Sequence, residues 1–343
     1  MLLKITHQTD LTYSDLISES VMELRMVPRQ AEDQHRLSFT LALGPATSAN
    51  SYFDWLGNTV HAFTINAFHR QIRIVATSVV ETHRDKLDPR ELPDVWPTEV
   101  GRMDYALYDY LSFRGPVCDS PQLRQVIDQL HFRPGERLGQ VAMRIVDLIN
   151  ERYTYKAGVT TATSPITDML EHGYGVCQDF THLMIGLARA INIPARYVSG
   201  FLHPDSNRFR GFTQTHAWCE LFFPSQGWLG FDPANKCFVG DNFVSVAVGR
   251  DYGDVPPNKG IYRGTAQESI EVQVHTEELL AIPSGLAAER MQSLNIPTFA
   301  NVAVHRELVT QQQEHQQQQQ QQQEWKNQPA ALAGSLISRR APS

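Results

Sequence analysis

Three short segments carry the residue types of thiol chemistry in the order such chemistry uses them. They are Tyr174-Gly175-Val176-Cys177-Gln178-Asp179-Phe180, then His216-Ala217-Trp218, then Phe231-Asp232-Pro233. A cysteine attacks a carbonyl only as its thiolate, which forms near neutral pH beside a histidine, at a helix N-terminus, or both. Cys177 is placed for both. After Gly173 and Gly175, residues Phe180, Leu183, Met184, Leu187, Ala188 and Ile191 recur every three or four positions until Asn192 and Pro194. The pattern predicts a helix of about four turns opening at Cys177. Its macrodipole favours a thiolate by about 0.3–1 kcal/mol at an exposed end and by up to about 2 kcal/mol when partly buried. That assists a histidine without replacing it.

The run from His216 to Phe222 is aromatic and apolar without helical periodicity and stops at Pro224, which predicts a strand. Side chains alternate across a strand, so His216, Trp218, Glu220 and Phe222 share one face. Ala217, Cys219 and Leu221 share the other, which turns Cys219 away from the chemistry. A second strand, Trp228 to Asp232, follows the turn-like Pro224-Ser225-Gln226-Gly227 and closes an antiparallel hairpin. Register then decides whether His216 and Asp232 can meet. Closing Phe222 against Trp228 sets Trp218 opposite Asp232 and leaves His216 on the diagonal, about 7–8 Å away and within reach of contact after twisting. Pairing Phe223 with Trp228 would put the imidazole and the carboxylate on opposite faces.

The segments YGVCQDF, THAWCEL and WLGFDPAN together resemble the transglutaminase-like superfamily. Its core has papain-like logic, with Cys at a helix start and His and Asp on successive strands. The resemblance implies Cys177 as nucleophile, His216 as general base and acid, and Asp232 as the carboxylate that fixes the imidazole tautomer. THQTDLTYSD, ELRMVPR and YFDWLGN near the start, and GRDYGDVPPNKGIYRG later, resemble the bacterial branch with its own N-terminal β domain, so the likeness covers about residues 1–275. Animal cross-linking members carry Trp after the nucleophile where this chain has Gln178, and their calcium sites are not recognisable. No metal or other cofactor is expected. The implied reaction is acyl transfer from a peptide or glutamine carboxamide through a thioester on Cys177, completed by water or an amine. The oxyanion needs preorganised donors. The Cys177 backbone N–H is one; Tyr153, Tyr155 and Gln178 are alternatives for the second, and Trp218 is a further substrate-contact candidate.

These residues need a scaffold, and the chain of 343 residues with 42% hydrophobic content is long enough for two domains. Residues 1–82 alternate repeatedly between Gly, Pro and Asn punctuation, which predicts a small all-β sandwich. A charged, proline-bearing linker follows at 83–101, and a catalytic domain at 102–275. Ser120-Pro121, the stretch from Arg137, and Ser164-Pro165 open helices before that of Cys177, and Ala195 to Leu202 is a strand. The expected fold class is α+β. Residues 276–343 form a tail whose glutamine run, Gln311 to Gln323, cannot bury enough apolar surface to order itself.

Composition limits the alternatives. The formal charge of −7 has no basic stripe, so nucleic acid or an anionic membrane is not an expected partner; the charge says little about the peptide or protein substrate that the resemblance implies. Four irregularly spaced cysteines suit neither a disulfide framework nor a zinc ribbon, and Lys4 and His7 interrupt any signal-peptide core. A reducing, cytoplasmic setting is expected. Cys118 has no neighbouring base, and Cys237 follows Lys236, an arrangement compatible with a slightly activated surface thiol; both read as incidental. Asp54-Trp55-Leu56-Gly57-Asn58 reads as a tight turn around a buried Trp, and Gly249 to Pro257 as a loop bordering the cleft. Two rival functions are a peptide-binding module that has lost turnover and a metal hydrolase, the latter without any His-x-x-x-His or Cys-x-x-Cys spacing to support it.

Overall fold

Alternation along the first segment produces long strands with one face inward. The computed structural model describes residues 1–84, 87–98, 104–204 and 215–299. Its first part contains β1 (Leu2–Ile17), β2 (Glu19–Leu24), β3 (Gln34–Gly44), β4 (Ala49–Phe53), β5 (Thr59–Ile65) and β6 (His69–Thr82). β1, β6 and β3 are neighbours in one sheet and β2, β5 and β4 in another. Leu11, Leu24, Phe39, Leu41, Ile72 and Ile74 fill the space between them. Burying each such side chain favours folding by about 1.5–3 kcal/mol. β4 escaped the sequence reading because most of its positions are exposed, so no apolar alternation marks it. Trp55, expected to be buried, is 62% exposed, although the turn around it forms, with Asp54 accepting from the Leu56 and Asn58 N–H groups.

The second part begins with α1 (Pro121–Asp128), whose Ser120 hydroxyl caps the Leu123 N–H at 3.1 Å, and α2 (Leu138–Arg152). Then come β7 (Thr154–Tyr155), α3 (Ile166–His172), β8 (Tyr174–Gly175) and α4 (Cys177–Ala190). β9 (Ala195–Leu202), β10 (His216–Phe223), β11 (Gly227–Asp232), β12 (Cys237–Phe238) and β13 (Phe243–Gly249) form an antiparallel sheet in the order β12-β11-β10-β9-β13. Phe180, Leu183, Met184 and Leu187 of α4 join Ala217, Cys219 and Leu221 of β10 in the main core. The hairpin register is the one expected, Phe222 against Trp228, with one more pair at Phe223 and Gly227. The expected linker is tied down where it is described. Gly139 of α2 leaves no room for a Cβ beside the Pro89 carbonyl, and the Trp96 indole donates to the Ile191 carbonyl at 2.8 Å.

The chain then returns to the first two sheets. β14 (Asn258–Arg263) pairs with β2, β15 (Glu268–Glu278) pairs with β1 along eleven residue pairs, and β16 (Arg290–Ser293) runs parallel to β3. The last stretch of the segment assigned to the catalytic domain, and part of the expected tail, thus complete the β sandwich instead. Alternation identified the strand around Ile270 to Val274 but could not say whose edge it joins. Met1–Pro297 form one contact unit. The glutamine run lies outside the described residues. Among the described residues no helix is long and apolar enough to cross a membrane.

Candidate active site

The nucleophile candidate is the first residue of α4, with Val176 in an extended conformation just before it. The turn into the helix is held by Asp179, whose Oδ2 accepts from the Val176 N–H at 2.7 Å and from the Thr160 hydroxyl at 2.6 Å. Gly175 must lack a side chain, because a Cβ there would lie 2.6 Å from the Asp179 Cβ. Asp179 is 3% exposed, and burial raises its pKa although Thr160 and the backbone N–H groups pull the other way. One turn on, the Thr181 hydroxyl donates to the Cys177 carbonyl. Cys177 itself is partly exposed, at the margin of the main core.

His216 and Asp232 converge as the register requires. His216 Nε2 lies 2.7 Å from Asp232 Oδ2, with both side chains sealed from solvent. Asp232 also accepts from the Asn235 side-chain amide on Oδ2 and from the Ala234 and Asn235 backbone N–H groups on Oδ1. Four donors thus hold one carboxylate. Burial disfavours charge on the imidazole, but Asp232 and then Cys177 outweigh it and push the His216 pKa up to about 10. With Nε2 committed to Asp232, Nδ1 is the buried nitrogen left without a hydrogen-bond partner of its own. The Cys177 thiol is the neighbour that interacts with that ring.

The remaining candidates separate clearly. Tyr155 comes to the nucleophile: its phenol contacts both the Cys177 backbone N–H and the thiol, and burial followed by Cys177 raises its pKa. Tyr153 is instead a core residue, 8% exposed. Gln178 donates to the Thr161 carbonyl at 3.3 Å, across the loop that also supplies Thr160. Trp218 cannot contact substrate. It is fully buried, 6.2 Å from the His216 ring centroid and edge-on to Phe243, because it belongs to a second apolar cluster with Val198, Leu202, Phe243 and Val248. Arg250 and Asp254 of the expected cleft loop are committed to each other. Cys219 is wholly buried, and burial raises its pKa well above the usual thiol range. Sequence reasoning missed Asn235 and Asp179. Asp179 was legible as a carboxylate three residues after a helix cap, and Asn235 as the partner of a turn begun by Asp232.

Comparison with known proteins places these residues in a family context. Residues 128–233 match the model of the transglutaminase-like superfamily, and residues 3–81 match that of the bacterial transglutaminase-like N-terminal region. An uncharacterised protein of Mycobacterium leprae is 32% identical over 287 residues, spanning 81% of this chain and 99% of its own. A protein-glutamine gamma-glutamyltransferase of Pseudomonas aeruginosa is 30% identical over 125 residues, 34% of this chain and 19% of that protein. The crystal structure of a candidate cysteine protease from Cytophaga hutchinsonii superimposes with a TM-score of 0.67 at 22% identity, covering 82% of this chain and 93% of that one. At that identity the likeness is one of fold.

Proposed function

The chain belongs to the transglutaminase-like superfamily, whose general chemistry is cysteine-dependent acyl transfer and peptide cleavage, and from that premise we propose that Cys177 forms a thioester with a peptide or glutamine carboxamide. The observation that supports this most is the 2.7 Å His216–Asp232 contact, with the Cys177 thiol beside the same ring. His216 takes the thiol proton and the sulfur attacks the carbonyl carbon. The C–N bond then breaks, and the leaving nitrogen departs with the proton that the imidazolium returns. Asp232 holds the ring in the tautomer that makes this exchange possible. The Cys177 backbone N–H stabilises the oxyanion, and Tyr155, already beside that N–H, supplies the second donor once the carbonyl oxygen displaces its phenol.

Water is the acceptor we favour, because Cys177 is partly exposed and a thioester there would be open to hydrolysis. His216 then accepts a proton from the attacking water, the thioester C–S bond breaks, and the acid product leaves. Four irregularly spaced cysteines suit a reducing, cytoplasmic compartment. A peptide library offered with and without a primary-amine reporter, to wild type and to Cys177→Ala, tests the reading. Cleavage or deamidation by wild type alone is the expected result, and reporter incorporation would make an amine the acceptor. No difference between the two proteins, with Cys177 alkylating as slowly as Cys118 and Cys237, would leave a peptide-binding module and end the proposal.

A further inference from the structure

β13 is an outer strand of the catalytic sheet, and an outer strand presents N–H and C=O groups with no partner in its own sheet. Buried, such groups must find partners elsewhere. Here side chains of the N-terminal β domain and of the start of the linker supply them. Gln34, wholly buried, uses its amide as a short piece of strand: Oε1 accepts from the Ser245 N–H at 2.8 Å, and Nε2 donates to the Ser245 carbonyl at 2.9 Å. Asn58, equally buried, repeats the pattern on Val248, accepting from its N–H at 2.8 Å and donating to its carbonyl at 2.9 Å. Arg84 closes the strand's entrance, with Nη1 donating to the Phe243 carbonyl at 2.6 Å and to the Gly240 carbonyl at 2.8 Å.

The place of these contacts in the sheet gives them meaning. Ser245 pairs with Gly200, and Gly200 pairs with His216, so Gln34 holds the end of the cross-strand row that carries the imidazole. The row has no slack. A Cβ on Gly200 would lie 2.2 Å from the Val244 carbonyl oxygen and 2.5 Å from the Trp218 ring. Phe243, whose carbonyl Arg84 holds, packs 6.1 Å from the His216 ring and 5.3 Å from Trp218. The ionisable groups facing His216 are Asp232 from β11 and Cys177 from α4; β13 and β10 present Phe243 and Trp218.

Resting on the reading of Cys177 and His216 given above, we propose that the N-terminal β domain and the first residues of the linker hold the imidazole at its working distance, with Gln34 and Arg84 as positioning residues acting through β13. The domain's contribution is then to the proton transfer and not only to folding. Asn58 provides the internal contrast, because it makes the same two bonds to the same strand two rows away, on the row of Val198 and Trp218.

The test is iodoacetamide alkylation of Cys177, followed by peptide mass mapping across pH 5–10 in the full chain. Melting temperature is recorded for each variant. Gln34→Ala and Arg84→Ala should slow Cys177 labelling at neutral pH by about tenfold, the size expected for losing a buried hydrogen bond's worth of alignment. They should also move the midpoint of the pH profile, with Arg84→Lys recovering part of the rate. Asn58→Ala should lower the melting temperature comparably but stay within about twofold of the wild-type rate. Labelling like wild type in both Gln34→Ala and Arg84→Ala overturns the proposal, as does equal slowing by Asn58→Ala. Should Gln34→Ala not fold, the pair Arg84→Ala and Arg84→Lys decides on rate alone. A wild-type Cys177 no faster than Cys118, or indifferent to His216→Ala, instead removes the nucleophile reading on which the proposal stands.

Discussion

Two buried imidazoles, one borne by α4 and one beside its first residue, titrate in opposite directions. His182, one turn and a half into the helix, has no carboxylate partner; its Nε2 accepts from the Tyr252 N–H at 3.1 Å, and its ring sits 5.0 Å from that of Tyr197. Burial, then the nearby Arg189, lowers its pKa to about 3. His216 is buried as deeply, yet Asp232 and Cys177 overcome that burial and raise it to about 10. Burial alone therefore makes a neutral packing residue. A carboxylate at 2.7 Å converts the same environment into one that stores a proton beside a thiol.

The most damaging way to break this contrast is Asp232→Asn, which turns His216 into a second His182. Turnover on any substrate identified for the wild type should fall by on the order of a thousandfold or more, as expected when the wrong tautomer is enforced. Carbon-13 NMR of labelled histidine should find the His216 pKa below 6.5; a value still near 10 would show that the carboxylate is not the cause. Asn235→Ala removes one of the four donors on Asp232 and should cost about tenfold in turnover with KM little changed. A KM effect alone would reassign Asn235 to substrate binding.

The smallest effect is on stability, and its sign differs between the two sites. His216 is raised from 6.5 to about 10, so its stabilising contribution is complete below pH 6.5 and fades as the pH climbs towards 10. His182 is lowered from 6.5 to about 3, so folding is weakened as the pH falls from 6.5 towards 3, where the unfolded chain takes up a proton that the folded one refuses. The melting-temperature advantage of wild type over Asp232→Asn should shrink on the alkaline side. Against His182→Gln, which keeps an acceptor for Tyr252, it should shrink on the acid side. Parallel curves in either comparison would remove that histidine from the account.

Much of the site was legible because its constraints are local. The period of Phe180 to Ile191 gave α4 and put Cys177 at its start, and parity along two strands gave the register that brings His216 to Asp232. The second partners of Cys177 were harder, since Tyr153 and Tyr155 have the same chemistry two residues apart and only tertiary packing separates them. Trp218 misled for the same reason. A shared strand face fixes direction, but what lies over that face is supplied by Phe243 and Val198, which no spacing in the sequence links to it. Edges were the least legible. Asn58 reads as a turn residue until β13 is seen against it, nothing in the spacing marks Gln34, and β14 and β15 carry too few inward apolar residues to announce their partners.

The return of β14 and β15 makes the transglutaminase-like half an insertion threaded through the sandwich, and this governs how the molecule can be made and cut. During synthesis β1 leaves the ribosome some 250 residues before the strand that covers its outer side, so that side stays bare until Glu278 has emerged. A protease nick between residues 83 and 101 would not part the halves, because the Leu3–Glu278 ladder still joins them across the break. A truncated gene product ending near residue 250 would carry raw flanks on β1 and β2, and such flanks invite self-association into sheets.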